Sequence, residues 1–93
     1  DFILNLIFLT FVVKNLRYPV LAMENKIQGE VIIIFNVDKN GKLVDFEIHK
    51  SVHELLDNEA IRVIKKSGKW NPGTLHGEKV RVAMKFPFHF RLQ

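Results

Sequence analysis

Four histidines make a metal site the first chemistry to consider: His49, His53, His76 and His89. His49 and His53 are four residues apart, but alternation around His49 indicates a strand and His53 follows its end. His76 falls in a loop and His89 lies near the C-terminus. Zinc ligands must converge on one point, and this spacing does not bring the imidazoles together. The sequence therefore predicts no metal site.

Ser51, His53 and Asp57 are the residue types of a hydrolase triad. They fall within seven residues at the start of a helical pattern, where side chains diverge, and no oxyanion-hole loop accompanies them. Ser51 and Glu54 have the spacing of a capping box, so we interpret Ser51 as a helix cap. The glycines are single and form no phosphate-binding loop. We expect no catalytic residue, no cofactor and no enzyme.

Composition indicates one small domain. The chain has 93 residues, of which 47% are hydrophobic, and no cysteine, so a disulfide framework and a thiolate metal site are both excluded. The net charge of +4 favours acidic partners.

The positive net charge also suggests nucleic-acid binding as a possible function. The basic residues near Trp70 are Arg62, Lys65, Lys66, Lys69, Arg81 and Lys85. Sheet-based readers of single strands stack bases on exposed aromatic side chains. Here Phe35, Phe46 and Phe86 fall at inward positions, and we expect Trp70 to cover the core rather than contact a partner. We therefore favour a solvated basic surface, with no nucleic acid as partner.

The apolar residues predict helix, strand, strand, helix, strand. A buried helix runs to Leu16 and ends before Tyr18-Pro19, and a short helix or turn closes at Gly29. Val31 to Val37 is apolar at almost every position, which is typical of a central strand. After the turn at Asp38 to Gly41, we expect Val44, Phe46 and Ile48 on one strand face. The helix stripe is Leu56, Ala60, Val63 and Ile64, and after a loop from Trp70 to Gly77 the last inward series is Val80, Val82, Met84 and Phe86.

This order predicts an α+β fold. The first two strands pair through the hairpin, and the second helix returns the chain so that the third strand lies beside the first. The result is a three-stranded antiparallel sheet of order 2-1-3 with two helices on one face. Strand three lies at an edge, where free N–H and C=O groups can accept a partner strand.

Residues 1–8 form an apolar extension that precedes the domain of residues 9–93. The run from Phe2 to Val13 is shorter than the roughly 20 residues that a membrane span needs. We expect a core segment or a segment that forms a dimer.

An ordered set of short motifs resembles the C-terminal domain family of TonB-type energy transducers. The match runs from about Leu9 to Leu92. The matching residues are Tyr18-Pro19, Ala22, Gly29, Phe35, Val37, Gly41, Ser51, Leu56-Asp57, Ala60, Trp70, Pro72-Gly73, Gly77 and Pro87-Phe88-His89-Phe90.

The resemblance implies a periplasmic domain, anchored in the inner membrane by an upstream segment outside this chain and driven by an ExbB/ExbD-type motor. Such a domain binds the TonB box of a TonB-dependent outer-membrane transporter by adding it as a strand, which couples inner-membrane energy to nutrient uptake. The residues implied in partner binding are Tyr18, Pro19, Val80, Arg81, Val82, Ala83, Met84, Lys85 and Phe86. Tyr18-Pro19 either lies at that contact or only turns the chain.

Two alternatives stay open beside this function. TonB-like domains also end membrane sensor proteins with a metallopeptidase domain, where they serve as interaction modules. The apolar start of the chain also leaves a homodimer open.

Overall fold

The secondary structure forms an α+β domain with one main sheet. A computed structural model describes the backbone of residues 2–93 and the side chains from Leu6 onward. The elements are α1 (Phe2–Asn15), α2 (Val20–Glu24), β1 (Gly29–Val37), β2 (Leu43–Lys50), α3 (Glu54–Lys66), β3 (Gly73–Leu75), β4 (Glu78–Val80) and β5 (Val82–Phe90). The main sheet has the order β2-β1-β5, and both pairs are antiparallel. The predicted order 2-1-3 is confirmed, with β5 as the third strand.

The core lies between β1 and α3. Alternate β1 residues are buried: Val31, Ile33, Phe35 and Val37. The predicted α3 stripe packs against them, and all four of its members, Leu56, Ala60, Val63 and Ile64, are fully buried. Strand β1 thus has one face under the helices and one half-buried face, which is why its sequence is apolar at nearly every position.

Trp70 covers one end of this core, as predicted. Its ring lies edge-on to Phe35 at 5.4 Å and tilted against Phe8 at 4.8 Å. The indole Nε1 donates a hydrogen bond to Ser67 Oγ at 2.9 Å, which satisfies the polar end of the side chain.

Strand β2 departs from the alternation that its sequence indicates. Between the pairs Ile34–Glu47 and Asn36–Val44, β1 advances two residues and β2 advances three. Asp45 has a φ of 56°, so it is the extra residue of a β-bulge. The bulge reverses the faces of the residues that precede Asp45: Leu43 packs on the core, while Val44 pairs with Asn36 on the outer face. The prediction that Val44 faces inward is therefore wrong. Side chains in a strand alternate between its two faces, so one extra residue moves the next side chains to the opposite face.

A second irregularity lies near the end of β2. Between the pairs Ile32–Lys50 and Ile33–Ile48, β2 again advances one residue more than β1. Ile48 pairs with the buried Ile33, yet its side chain is 41% exposed. The far end of β2 is thus only loosely covered by the helices.

Helix α3 begins with a different cap from the one predicted. His53 is the N-cap, and its Nδ1 accepts the Leu55 N–H at 3.0 Å. Ser51 Oγ instead donates to the Asp57 carboxylate, which is buried and also accepts the Val52 N–H at 3.2 Å. The prediction of Ser51 as the cap is wrong because the helix begins at Glu54, three residues after Ser51. Asp57 fixes the loop between β2 and α3.

The segment from Trp70 to Gly77 was predicted as a loop, and this is wrong in part. It contains β3, which pairs with β4 in a separate two-stranded ribbon. Strand β4 ends at Val80, and Arg81 separates it from β5. The long C-terminal alternation is thus divided between two strands.

Helix α1 is held to α3 by a polar cluster at its C-terminal end. Arg62 Nη2 donates to the Asn15 carbonyl at 2.9 Å, and the Arg17 N–H donates to Glu59 Oε2 at 2.7 Å. Desolvation alone would raise the pKa of Glu59, but hydrogen bonds from Arg62 and Arg17 outweigh it and lower that pKa below the usual 4.5.

From Leu6 onward, one face of α1 meets the core. Phe8 and Val12 are buried, whereas Leu6, Leu9 and Val13 are exposed on the opposite side. The predicted helix is confirmed, but these exposed side chains differ from the burial that was predicted. Among residues 2–93, no helix has the length and apolar character to cross a membrane.

Candidate functional site

The free edge of β5 is the feature best suited to bind a partner. Strand β5 pairs with β1 in unbroken register, from Gly29–Phe90 to Val37–Val82, with no bulge in nine residue pairs. In the part of the chain that the structure describes, no strand lies on its other side. A regular edge strand presents N–H and C=O groups at a constant spacing, which is what an extended peptide needs to pair.

Aromatic packing holds this edge in place. Along β5, Val82, Met84 and Phe86 are half-buried, and Phe88 and Phe90 are buried. Phe86 lies edge-on to Phe8 at 4.7 Å and tilted against Phe88 at 5.0 Å. These aromatic contacts help to hold β5 against the core.

The other side chains of β5 point away from the helices. Ala83, Lys85, Pro87 and His89 are exposed. Lys85 pairs with Ile34 across the sheet, and His89 Nε2 lies 3.3 Å from Glu30 Oε2. The outer face beside the edge therefore carries a small residue, a cation, a proline and an imidazole.

The predicted partner-binding residues fall into three places. Val82 to Phe86 lie together in β5, as expected for one continuous contact. Val80 lies in β4, paired with Gly73, and Arg81 forms an ion pair with Asp45 of β2. These two residues therefore lie outside the regular edge.

Tyr18 and Pro19 lie at the opposite end of β5. The Tyr18 ring is edge-on to Phe90 at 5.5 Å, and its hydroxyl donates to the Ile27 carbonyl. Pro19 is the N-cap residue of α2. Phe86 and Phe90 are about 13 Å apart along a strand. The structure thus gives Tyr18 a structural role and does not join it to Val82.

The predicted partner-binding residues of this strand stop at Phe86, whereas β5 continues to Phe90. Pro87 and His89 are exposed residues of β5 beyond Phe86. The alternation of apolar residues continues through Phe88 and Phe90, and this pattern indicates that the strand extends to Phe90.

In residues 2–93, no three His, Asp or Glu side chains are grouped closely enough to hold a metal ion. The edge of β5 therefore offers a ligand a row of backbone N–H and C=O groups.

Comparison with known proteins gives the same relationship by sequence and by fold. Residues 14–92 match the family model described as Gram-negative bacterial TonB protein C-terminal. Relatives named Protein TonB from two strains of Xanthomonas campestris pv. campestris are 35% identical over 77 residues. The alignment covers 82% of this chain and 34% of each relative, so the chain spans about a third of their length.

Two solution structures of the Helicobacter pylori TonB C-terminal domain share the fold. The first has a TM-score of 0.77 at 25% identity and covers 92% of this chain and 78% of that one. The second has a TM-score of 0.64 at 23% identity, with 100% and 98% covered. The family model covers residues 14–92, and the relatives from Xanthomonas are 35% identical over most of the chain, so the chain belongs to the TonB C-terminal domain family.

Proposed function

We propose that this chain is the periplasmic domain of a TonB-type energy transducer, and that it binds the TonB box of an outer-membrane transporter. The box adds to the sheet as a strand beside β5. The observation that carries this proposal is the regular and unoccupied edge of β5 in a member of the TonB family.

The geometry favours β5 over the other edge of the sheet. Strand β2 carries register shifts at two places, and each interrupts the ladder that a new strand would continue. Strand β5 has none. An added strand of five residues on β5 would cover about 17 Å without interruption.

Energy coupling would involve the remainder of the parent protein. The TonB relatives are about three times as long as the aligned segment. In this proposal, an inner-membrane anchor and the contact with an ExbB/ExbD-type motor belong to that additional length. The domain itself turns over no substrate and only transmits force to the transporter. A homodimer formed through β5 would occupy the same edge and would compete with the TonB box.

Cysteine crosslinking tests the contact directly, because the natural chain has no cysteine. Single variants Ala83→Cys and Lys85→Cys place a thiol beside the β5 edge, and Glu47→Cys is the matched control on exposed β2. Each is oxidised with a TonB-box peptide that carries one cysteine, taken from a transporter of the source bacterium. We expect disulfides at positions 83 and 85 and none at position 47.

Amide shifts in the unmodified domain provide the second readout. Titration with the same peptide should move the resonances of Val82 to Phe86. Shifts at Tyr18 would extend the contact to the far end of β5. Crosslinking at position 47 alone, or no shift on β5 at millimolar peptide, would contradict the proposal.

A further inference from the structure

We infer that Pro87 ends the usable edge of β5 and thereby sets the length and register of the strand that pairs there. This inference rests on the proposed strand addition. It concerns a residue in the middle of β5, directly opposite Ile32 in the ladder with β1.

The orientation of the strand follows from the chemistry of proline. Pro87 has no N–H to donate, so in a sheet its nitrogen must face away from the neighbouring strand. Strand β5 continues in unbroken register through Pro87, as the pairs Phe86–Ile33 and Phe88–Val31 show on either side. The backbone nitrogen and carbonyl of residue 87 therefore point to the free edge, and those of Phe86 and Phe88 point to β1.

The same alternation assigns the other residues of the edge. In an antiparallel ladder the N–H and C=O of one residue point to the same side, and successive residues alternate. Ala83, Lys85 and His89 consequently present both groups to the free edge, whereas Pro87 presents only its carbonyl. The row of donors is interrupted between Lys85 and His89.

The usable edge is also limited at the N-terminal end of β5. Arg81 is not part of a strand, and its side chain is held by Asp45. Gly73 of the β3–β4 ribbon lies so close to Val82 that a Cβ on Gly73 would be 2.5 Å from Val82 Cγ2. The ribbon therefore packs on the side chain of Val82 at the start of β5.

Together these limits leave a short window. It runs from Val82 to Pro87, with donors at Ala83 and Lys85 and acceptors at Ala83, Lys85 and Pro87. A partner strand fits this window in the register that matches two donors and three acceptors. A shift by two residues places a backbone carbonyl of the partner opposite the Pro87 nitrogen, where no donor exists, and a carbonyl left without a hydrogen bond is costly.

A proline scan of the edge tests the inference. Lys85→Pro and Ala83→Pro each remove one outward N–H while leaving the ladder with β1 intact, as Pro87 does. We expect each to weaken binding of a TonB-box peptide by about 3- to 10-fold, the effect of one hydrogen bond. His89→Pro is the matched control outside the window and should leave affinity unchanged. Met84→Pro removes an inward donor and should destabilise the fold.

The converse variant is Pro87→Ala, which restores the missing donor. With a peptide of about twelve residues, long enough to cover β5, we expect affinity to rise about 3- to 5-fold. With a peptide of about five residues, matched to the window, no change is expected. Protection of the His89 amide by the long peptide should appear in Pro87→Ala and be absent in the natural protein.

Hydrogen exchange in the free domain tests the backbone orientation without a partner. The amides of Ala83, Lys85 and His89 should exchange rapidly, and those of Met84, Phe86 and Phe88 slowly. The reverse pattern would overturn the inference, and so would unfolding of both Lys85→Pro and Ala83→Pro. If the peptide crosslinks to β5 but Pro87→Ala has no effect and His89→Pro weakens binding, the inference fails and the proposed function stands. A peptide that does not bind β5 at all would overturn both.

Discussion

The two edge strands of the sheet flank the same central strand, yet they differ in regularity. Strand β2 contains two register shifts against β1, one at Asp45 and one near His49. Strand β5 contains none over its nine pairs. Exposed edges tend to pair with other chains, and bulges with charged side chains are a common way to prevent this. Here one edge is protected and the other is left open.

The difference shows how a small sheet can restrict strand addition to one side. The exposed residues of β2 include Asp45, Glu47, His49 and Lys50, which carry charge or an imidazole along an irregular backbone. The exposed residues of β5 carry fewer charges, and the strand keeps an unbroken register with β1. In the proposed function, a partner strand would therefore be directed to β5 by exclusion from β2 as well as by attraction.

The largest effect is expected where β2 is joined to the core. Gly41 has a φ of +83°, its carbonyl accepts the Trp70 N–H at 2.9 Å, and a Cβ there would lie 2.1 Å from the Trp70 carbonyl oxygen. Gly41→Ala should lower the free energy of unfolding by about 3 kcal/mol, since the backbone of residue 41 or of Trp70 must move to make room for the Cβ. Urea-induced unfolding of the variant and of the natural protein measures this difference.

Gly77 supplies the matched control for this substitution. Its φ is +82°, but no atom lies within 4 Å of a Cβ placed there. Gly77→Ala should cost only about 1 kcal/mol, from the left-handed backbone alone. Equal losses in the two variants would show that the contact with Trp70 is not what fixes the hairpin.

The bulge itself can be tested at Asp45, whose φ is 56°. A β-branched side chain is strained in this region, so Asp45→Val should lower the free energy of unfolding by about 2 kcal/mol. Asp45→Gly, which adopts this conformation freely, should cost less than about 1 kcal/mol. Thermal and urea unfolding of the pair measure the difference. If Val is tolerated as well as Gly, the bulge is not fixed at this residue, and the protection of β2 needs another explanation.

An ion pair connects the two edges at their ends. Arg81 Nη2 meets the Asp45 carboxylate, with side chains 51% and 62% exposed. At such exposure the pair contributes at most about 1 kcal/mol. Arg81→Ala should therefore change stability by less than this, and added salt should reduce the difference. A double-mutant cycle with Asp45→Asn measures the coupling, and a large coupling that is insensitive to salt would contradict the prediction.

The smallest effect concerns the turn that leads into β2. The Asp38 carboxylate accepts the N–H groups of Lys42 at 2.9 Å and Asn40 at 2.8 Å. Both hydrogen bonds lower the pKa of Asp38 below its usual 3.8, and the bond from Lys42 has the larger effect. A lowered pKa means that the carboxylate stabilises the fold above pH 3.8 and that this contribution is lost as pH falls through the lower, folded value.

Asp38→Asn keeps an acceptor oxygen but does not titrate. Its stability relative to the natural protein should therefore improve as the pH falls below 3.8, while at pH 7 it should be slightly lower. Unfolding midpoints at pH 7 and at pH 3 measure the change. A constant difference across this range would show that the turn does not depend on the charge.

Much of the fold follows from hydrophobic spacing. The α3 stripe, the apolar β1 and the alternation of β5 were predicted and are confirmed, because burial selects residues at the period of each element. The faces of β2 were not, since an extra residue such as Asp45 leaves no mark in composition. His53 was missed as a cap because histidine is an unusual residue at that position.

The candidate site was predicted less completely than the fold. Val82 to Phe86 were identified through the family resemblance, and their role in binding stays a prediction. Tyr18 was grouped with them, yet it packs on Phe90 at the other end of β5. Sequence order cannot give such distances, because they depend on which segments the folded chain brings together.

By itself, the sequence determined the periodicity of β1, α3 and β5, the turn before β2 and the family. The tertiary structure decided which backbone groups remain unpaired. The sequence shows that Pro87 has no backbone N–H, but the effect of this residue depends on which side of β5 its nitrogen faces. This side is set by pairing with β1, a contact between residues more than fifty positions apart such as Ile32 and Pro87. Local chemistry supplies the donors and acceptors, and long-range pairing determines which of them are left for a partner.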